Sequence, residues 1–454
     1  MKIKIAPAKF KLNPRIIYTA LSATVILIGT YLAIRYAQGD FRLTNQGILP
    51  ETGLLAANSF PNGAQVYINN RLVTATDDTI YLEPGEYEVK IAKDGYSSWT
   101  KMMAVKKELV AQTNATLFPS APSISPLTFT GAENSLPSPD GRKIVFNTAS
   151  ASSQIKNGLY LLELGENFNP FQKSSRQIAI AEPSIDLSKA NFIWSPDSSE
   201  LMVLTKQKQV LISINDNQRL STLPDVTFKK KQILSEWEEE MYLRERQYLQ
   251  EFPKEMLVVA TQSAKNVYIS PDKKRLLYTA TASAILPKDI VPPVPSASSQ
   301  PEERTIEPGS IYVYDREEDK NFKIAQEKGS AELGAKSLLA NDLFRNKPLS
   351  FESSPSAFAK LQATSSALTS YRFNSYHSSL FINTLQWFSD SKHLLFIQDD
   401  NIQIMEYDGT NNTTLYSGPF AQKFIYPWPD GSRIIILTSF SPNSPKNLYA
   451  IELK

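Results

Sequence analysis

SPDGRKIVF (138–146), SPDSSELMVL (195–204), SPDKKRLLY (270–278), FSDSKHLLFI (388–397) and WPDGSRIIIL (428–437) state one phrase five times: a turn on Pro-Asp or Ser-Asp, then a compact apolar run. Each is followed by a second run: LYLLEL (159–164), VLISI (210–214), SIYVYD (310–315), IQIMEYD (402–408) and LYAIEL (448–453). The first runs are almost continuously apolar, as a strand covered on both faces requires. The second runs place Tyr or a charge at alternate positions, which predicts half-exposed strands. Short runs upstream, NFIW (191–194), NVYI (266–269), TLQW (384–387) and FIYP (424–427), add a further strand to most copies.

Three to four short antiparallel strands, repeated, predict a β-propeller. Five blades are recognisable, and the Ser- and Ala-rich stretch 327–380 leaves room for a short helix near Ser356–Leu361 or a degenerate sixth blade. A propeller is more often a platform for binding than a site of chemistry.

The repeat aspartates, Asp140, Asp197, Asp272, Asp390 and Asp430, could hold a metal. The stronger reading makes them turn residues, because a carboxylate there accepts bonds from the backbone N–H groups that follow. Turn aspartates of different blades also lie too far apart to form one site. Their spacings, about 57, 75, 118 and 40 residues, exceed the 40–45 of a simple blade, so the chain carries insertions. Residues 228–252 place Leu234, Trp237, Met241, Tyr248 and Phe252 near helical spacing among charges of both signs. They predict one amphipathic helix, packed on the propeller by its Trp237 face or offered to a partner. Residues 285–309 are rich in proline and serine and predict an exposed loop, whose PPVP could serve a proline-recognising domain.

Ile16 to Ile34 contains no charge and spans roughly 28 Å as a helix, enough for the core of a bilayer. Lys2, Lys4, Lys9, Lys11 and Arg15 precede it, whereas Arg35, Asp40 and Arg42 follow. The more basic flank is expected to stay in the cytoplasm and the rest of the chain to lie outside. The stretch is long for a cleaved signal peptide and ends without a small-x-small site, so an uncleaved anchor is expected. The expected organisation is a cytoplasmic tail (1–15), a transmembrane helix (16–34), a linker (35–53), a β-sandwich (54–118) and the propeller (119–454).

Within 54–118, Val66 and Ile68 alternate with Tyr67, and Asn69-Asn70 predicts a tight hairpin turn. Pro84-Gly85 predicts a second turn, and Tyr87, Val89 and Ile91 share one face of the next strand. Gly95 before Tyr96 suggests a further turn or bulge. A small all-β sandwich of six or seven strands follows. Ser59, Pro61, Gly63, Ala64, Pro84, Gly85, Tyr87, Val89, Gly95 and Tyr96 match the pattern of the PEGA domain, a bacterial surface module that this segment resembles. Asn62 stands where the family name has glutamate, at a variable turn position. The repeats in turn resemble the TolB-like, WD40-like propeller of the bacterial envelope. These resemblances imply an adhesive or scaffolding role and supply no catalytic residues.

With 48 Lys and Arg against 46 Asp and Glu, the net charge of +2 gives no global drive toward nucleic acid. The absence of cysteine excludes a disulfide framework and thiolate metal sites. Both histidines, His377 and His393, lie outside any His-x-x-x-His pair, and His393, beside Lys392 in a repeat turn, is expected to be exposed. No nucleophile elbow, P-loop or dinucleotide fingerprint is present. Because the chain stops at Lys454, one strand after its last repeat, no hydrolase domain is expected to follow the propeller. NAT (114–116) and NTT (412–414) fit the N-glycosylation pattern by chance in a bacterial chain.

The expected function is a non-catalytic scaffold at the cell surface, anchored in the lipid bilayer through residues 16–34. Its partners are expected to be envelope proteins or cell-wall glycan, with no nucleic acid, cofactor or metal. Two alternatives stand beside it. One is an envelope enzyme with paired acids in the propeller channel. The other is a transmembrane sensor acting through a cytoplasmic partner.

Overall fold

The computed structural model describes residues 14–37, 41–44, 47–50, 52–165, 175–182, 185–294, 297–326, 385–422, 424–442 and 444–454. The chain divides into two compact units: Met1–Ala92 with Thr100–Thr116, and Lys93–Trp99 with Leu117–Lys454.

The first unit opens with the helix Pro14–Ala37, whose 24 residues make a rod about 36 Å long. Within it, Tyr18–Ala37 has a mean hydropathy of 1.5 and buries none of its surface. The hydroxyls of Ser22 and Thr24 donate to the carbonyls of Thr19 and Ala20, so these two groups are satisfied without water. Length and composition suit a membrane anchor or a signal sequence alike. A hairpin, Phe41–Thr44 with Gly47–Pro50, follows.

The β-sandwich pairs two sheets. One runs Arg71–Ala75, Gln65–Ile68, Gly85–Ala92, Trp99–Val105, and the other Val110–Gln112, Gly53–Ala57, Asp78–Leu82. Ser59–Phe60 and Ala115–Thr116 form a short parallel pair that prolongs the strands before them. Counting those prolongations with their parents gives seven strands. Leu55, Ala57, Ala64, Val66, Val89 and Ile91 are fully buried between the layers. Asn69 and Asn70 both take left-handed φ, 48° and 63°, the geometry of a type I′ hairpin turn. Gly63 has φ 68°, and the Thr76 hydroxyl beside it accepts from the Ala64 N–H at 3.0 Å. These bonds give the Ser-x-Pro-x-Gly-Ala pattern its physical reason.

Among the described residues of the second unit, five sheets each carry one copy of the repeat, and a two-stranded pair, Ala284–Ile285 with Thr305–Ile306, stands beside them. The first blade is Glu133–Pro137, Lys143–Thr148, Gly158–Glu163 and Ser175–Ile180, with Gln218–Arg219 added in parallel outside. The second has three strands, Asn191–Trp194, Glu200–Leu204 and Gln209–Ser213. The third is Ala264–Ile269, Arg275–Ala280, Ser310–Asp315 and Lys320–Gln326. The fourth is Gln386–Trp387, His393–Gln398, Asn401–Glu406 and Thr413–Tyr416. The fifth takes Ile425–Pro427, Arg433–Thr438 and Asn447–Glu452 from the end of the chain, and its fourth strand, Ile124–Pro126, from the start of the unit. That exchange closes the ring and leaves the last blade no open edge on that side.

Neighbouring blades share cores. Leu161 of the first packs with Trp194 of the second, and Leu395 of the fourth with Ile434 of the fifth. Tyr426 of the fifth packs with Phe146 of the first. Leu277 and Val313 of the third share a core with Trp387 and Leu394 of the fourth, so these two blades are direct neighbours. The stretch 327–380, offered as a degenerate sixth blade, lies outside the described residues, as does His377.

Two expectations need correction. The second runs are mostly buried, and strict alternation survives only in Gln209–Ser213. As third strands of four they are covered by the blades on either side. The insertion at 228–252 holds the one helix expected of it, Lys230–Leu249, although Phe252 lies past its end. Lys230–Leu249 ends before Pro253, which opens a second helix, Lys254–Gln262. Proline at that place disfavours a helical residue before it and starts the next helix well. Trp237 and Leu234 do pack on the second blade, against Met202. The proline-rich insertion is not simply exposed. Leu286 and Ile306 are buried, and Arg304 ties the segment to Asp319 at 3.1 Å.

Candidate functional site

Strand direction sorts the propeller loops into two ends. The repeat turns, between first and second strands, share one end. The loops between second and third strands share the other with the links from one blade to the next.

At the turn end every aspartate is engaged by its own turn. Asp140 Oδ1 accepts from the Ser138 hydroxyl and the Arg142 N–H, and Asp197 and Asp272 repeat the pair with Ser195/Ser199 and Ser270/Lys274. Asp390 accepts from the N–H groups of Lys392 and His393, and Asp430 from that of Ser432. The residue after each aspartate is left-handed in all five copies: Gly141, Ser198, Lys273, Ser391 and Gly431. Burial pushes the Asp390 carboxyl up, but His393 and the turn N–H groups overcome this and hold it below the ordinary value. His393 is not exposed. Its Nδ1 lies 2.6 Å from Asp390, and its ring stands edge-on to Phe118 at 5.2 Å.

Two residues further on, the repeat places a basic side chain in four copies, Lys143, Arg275, His393 and Arg433, and Glu200 in the second. Lys143 Nζ donates to the Ser198 carbonyl of the next blade at 3.3 Å, and Arg275 Nη1 to the Ser391 carbonyl at 3.0 Å. Arg275 also lies over the Tyr407 ring at 4.1 Å and 2.7 Å from Asp315. The second blade does not follow the pattern because its neighbour in sequence is the helix Lys230–Leu249. Arg244 of that helix donates to the Pro196 carbonyl at 3.0 Å and so supplies the cation the repeat lacks. Lys273 of the third blade lies over Tyr248 of the same helix at 3.8 Å. The helix therefore bridges the second and third blades, and the turn end works as the ring's fastening.

The loop end differs. Phe129, Ile155, Ile285 and Phe440 are exposed there at 76, 71, 78 and 53%. Phe129 is held beside the first and fifth blades: the Thr148 hydroxyl donates to the Gly131 carbonyl, and the Gly131 N–H to Asn447 Oδ1, each at 2.9 Å. Phe440 stands edge-on to Tyr449 at 4.9 Å. Neither aromatic belongs to the repeat phrase or to the strand that follows it. Their signal is a large apolar side chain in a polar turn segment, TFTG and TSFSP, where no strand packing requires it. Among the described residues no cluster of three or more metal-type side chains occurs.

The fold and its ends define an apolar N-terminal helix followed by a β-sandwich and a five-sheet propeller. Residues 52–121 match the PEGA domain family. No curated protein matches the chain. Solved structures to which it is similar include a putative TolB from Agrobacterium tumefaciens, at 12% identity and a TM-score of 0.19, covering 86% of this chain and 78% of that one. TolB from Acinetobacter baumannii matches at 10% identity and a TM-score of 0.20, over 81% of this chain and 60% of that one. An oligogalacturonate lyase from Vibrio parahaemolyticus matches at 8% identity and a TM-score of 0.23, over 81% and 86%. The propeller assignment stands on the five sheets themselves.

Proposed function

We propose that this chain is a non-catalytic, membrane-anchored scaffold of the bacterial envelope, whose propeller binds an envelope protein or a cell-wall glycan by its loop end. The division between the two propeller ends carries this reading. The turn end uses its charges within and between turns, whereas the loop end offers Phe129, Ile155, Ile285 and Phe440 to solvent. Large apolar side chains on ordered loops are the groups that supply binding energy when a partner covers them. The basic flank of Lys2, Lys4, Lys9, Lys11 and Arg15 favours a cytoplasmic N-terminus and an external propeller.

The test compares the full chain with a Phe129→Ser/Phe440→Ser variant, both in detergent, for retention of envelope proteins and for co-sedimentation with peptidoglycan. The reading expects one of these activities in the parent chain and at least a tenfold weakening in the variant, roughly 1.4 kcal/mol. Equal binding by both proteins would refute the assignment of the loop end.

A further inference from the structure

Among the described residues, four junctions between blades are made by shared sheet cores, and the second and third blades are joined by a helix. Along Lys230–Leu249 the buried stripe includes Leu234, Trp237, Met241 and Leu249. Glu245 falls on that stripe, four residues from both Met241 and Leu249, and is half-buried. It makes no hydrogen bond or ion pair among the described residues, although Arg244 beside it bonds Pro196 and Glu240.

Among the described residues, no basic side chain of the surrounding elements pairs with Glu245. On the second blade the helix meets a turn carrying Asp197, engaged by Ser195 and Ser199, and Glu200. On the first strand and turn of the third blade stand Lys265, Tyr268 and Lys273, and Lys273 lies over Tyr248. Arg316 is taken by Glu251 at 2.6 Å. The Glu245 carboxylate acts on Tyr268, raising its hydroxyl beyond what burial alone does.

We infer that Glu245 makes the helix-built junction a proton-dependent latch: protonated, it lets the helix dock between the second and third blades, and ionised, it loosens that docking. Burial pushes its carboxyl up to about 8, which places the change near neutral pH. Its docked-state value is raised above that of the open state, so docking is strongest in acid. It weakens as pH rises from the free-carboxylate range through about 8, and changes no further above that.

The experiment is hydrogen exchange on the full chain in detergent, expressed as protection factors so that intrinsic rates cancel. Between about pH 6 and about pH 8, protection in residues 230–249 falls by on the order of tenfold, while the first and fifth blades hold theirs. Glu245→Gln keeps the helix protected at both values. Two results would overturn the latch: equal pH dependence in the parent and Glu245→Gln chains, or a loss of protection shared by every blade.

Discussion

Each repeat turn is closed by one carboxylate, and the chemistry of that group sets how the protein meets acid. Asp140, Asp197 and Asp390 are desolvated by their turns, yet the serine hydroxyls, His393 and backbone N–H groups that bond them hold their carboxyls below the ordinary value. A carboxyl lowered by folding contributes stability above its unfolded value and loses it as pH falls through the folded one. The parent chain is therefore expected to lose thermal stability steeply below about pH 4. The triple variant Asp140→Asn/Asp197→Asn/Asp390→Asn melts lower at neutral pH and shows a flatter acid limb. Calorimetry across that range checks this, and parallel limbs would mean that the turns do not carry the acid response. The same residues show what a single sequence yields. A Pro-Asp phrase fixes the turn because its bonds are local. His393, beside Lys392, reads as an exposed turn residue, whereas in the fold Phe118, 275 residues away in sequence, packs edge-on against its ring.

Among the elements, the insertion helix and the closing strand have the clearest consequences. Arg244→Ala removes the cation at the Pro196 carbonyl and is expected to cost about 1–2 kcal/mol in a chemical melt. Glu240→Ala, which takes away only an exposed partner of Arg244, costs less than about 0.5 kcal/mol. Ile124–Pro126 is the fourth strand of the fifth blade, so a propeller beginning at residue 127 has an uncovered edge along Asn447–Glu452. That fragment is expected to aggregate where one beginning at residue 119 stays monomeric, as light scattering would show. The first runs of the repeat were legible because continuous apolar character is a local property. The closing strand, ISP, is too short to carry a period, and its partner lies more than 300 residues away. The substitution of Arg244 for a repeat cation was equally hidden, since Pro196 and Arg244 meet only in space. The insertion helix was legible because its apolar spacing is local, and Pro253 marks where it cannot continue.

At the scale of the whole molecule, the chain joins an apolar helix, a PEGA-domain sandwich and a propeller whose two ends have different surfaces. The chain has no cysteine, so single cysteines report location without background. Cysteine introduced at Phe129 is expected to react with a membrane-impermeant maleimide in intact cells once any outer barrier is opened. Cysteine at Lys9 is expected to react only after lysis, and the reverse pattern would contradict the proposed orientation. The most direct test of the scaffold reading is site-specific photo-crosslinking in living cells, with the probe placed in turn at Phe129, Phe440, Arg142 and Ser432. The account predicts discrete adducts at Phe129 and Phe440, on the loop end, and none at Arg142 or Ser432, on the turn end. Adducts confined to the turn end would contradict it.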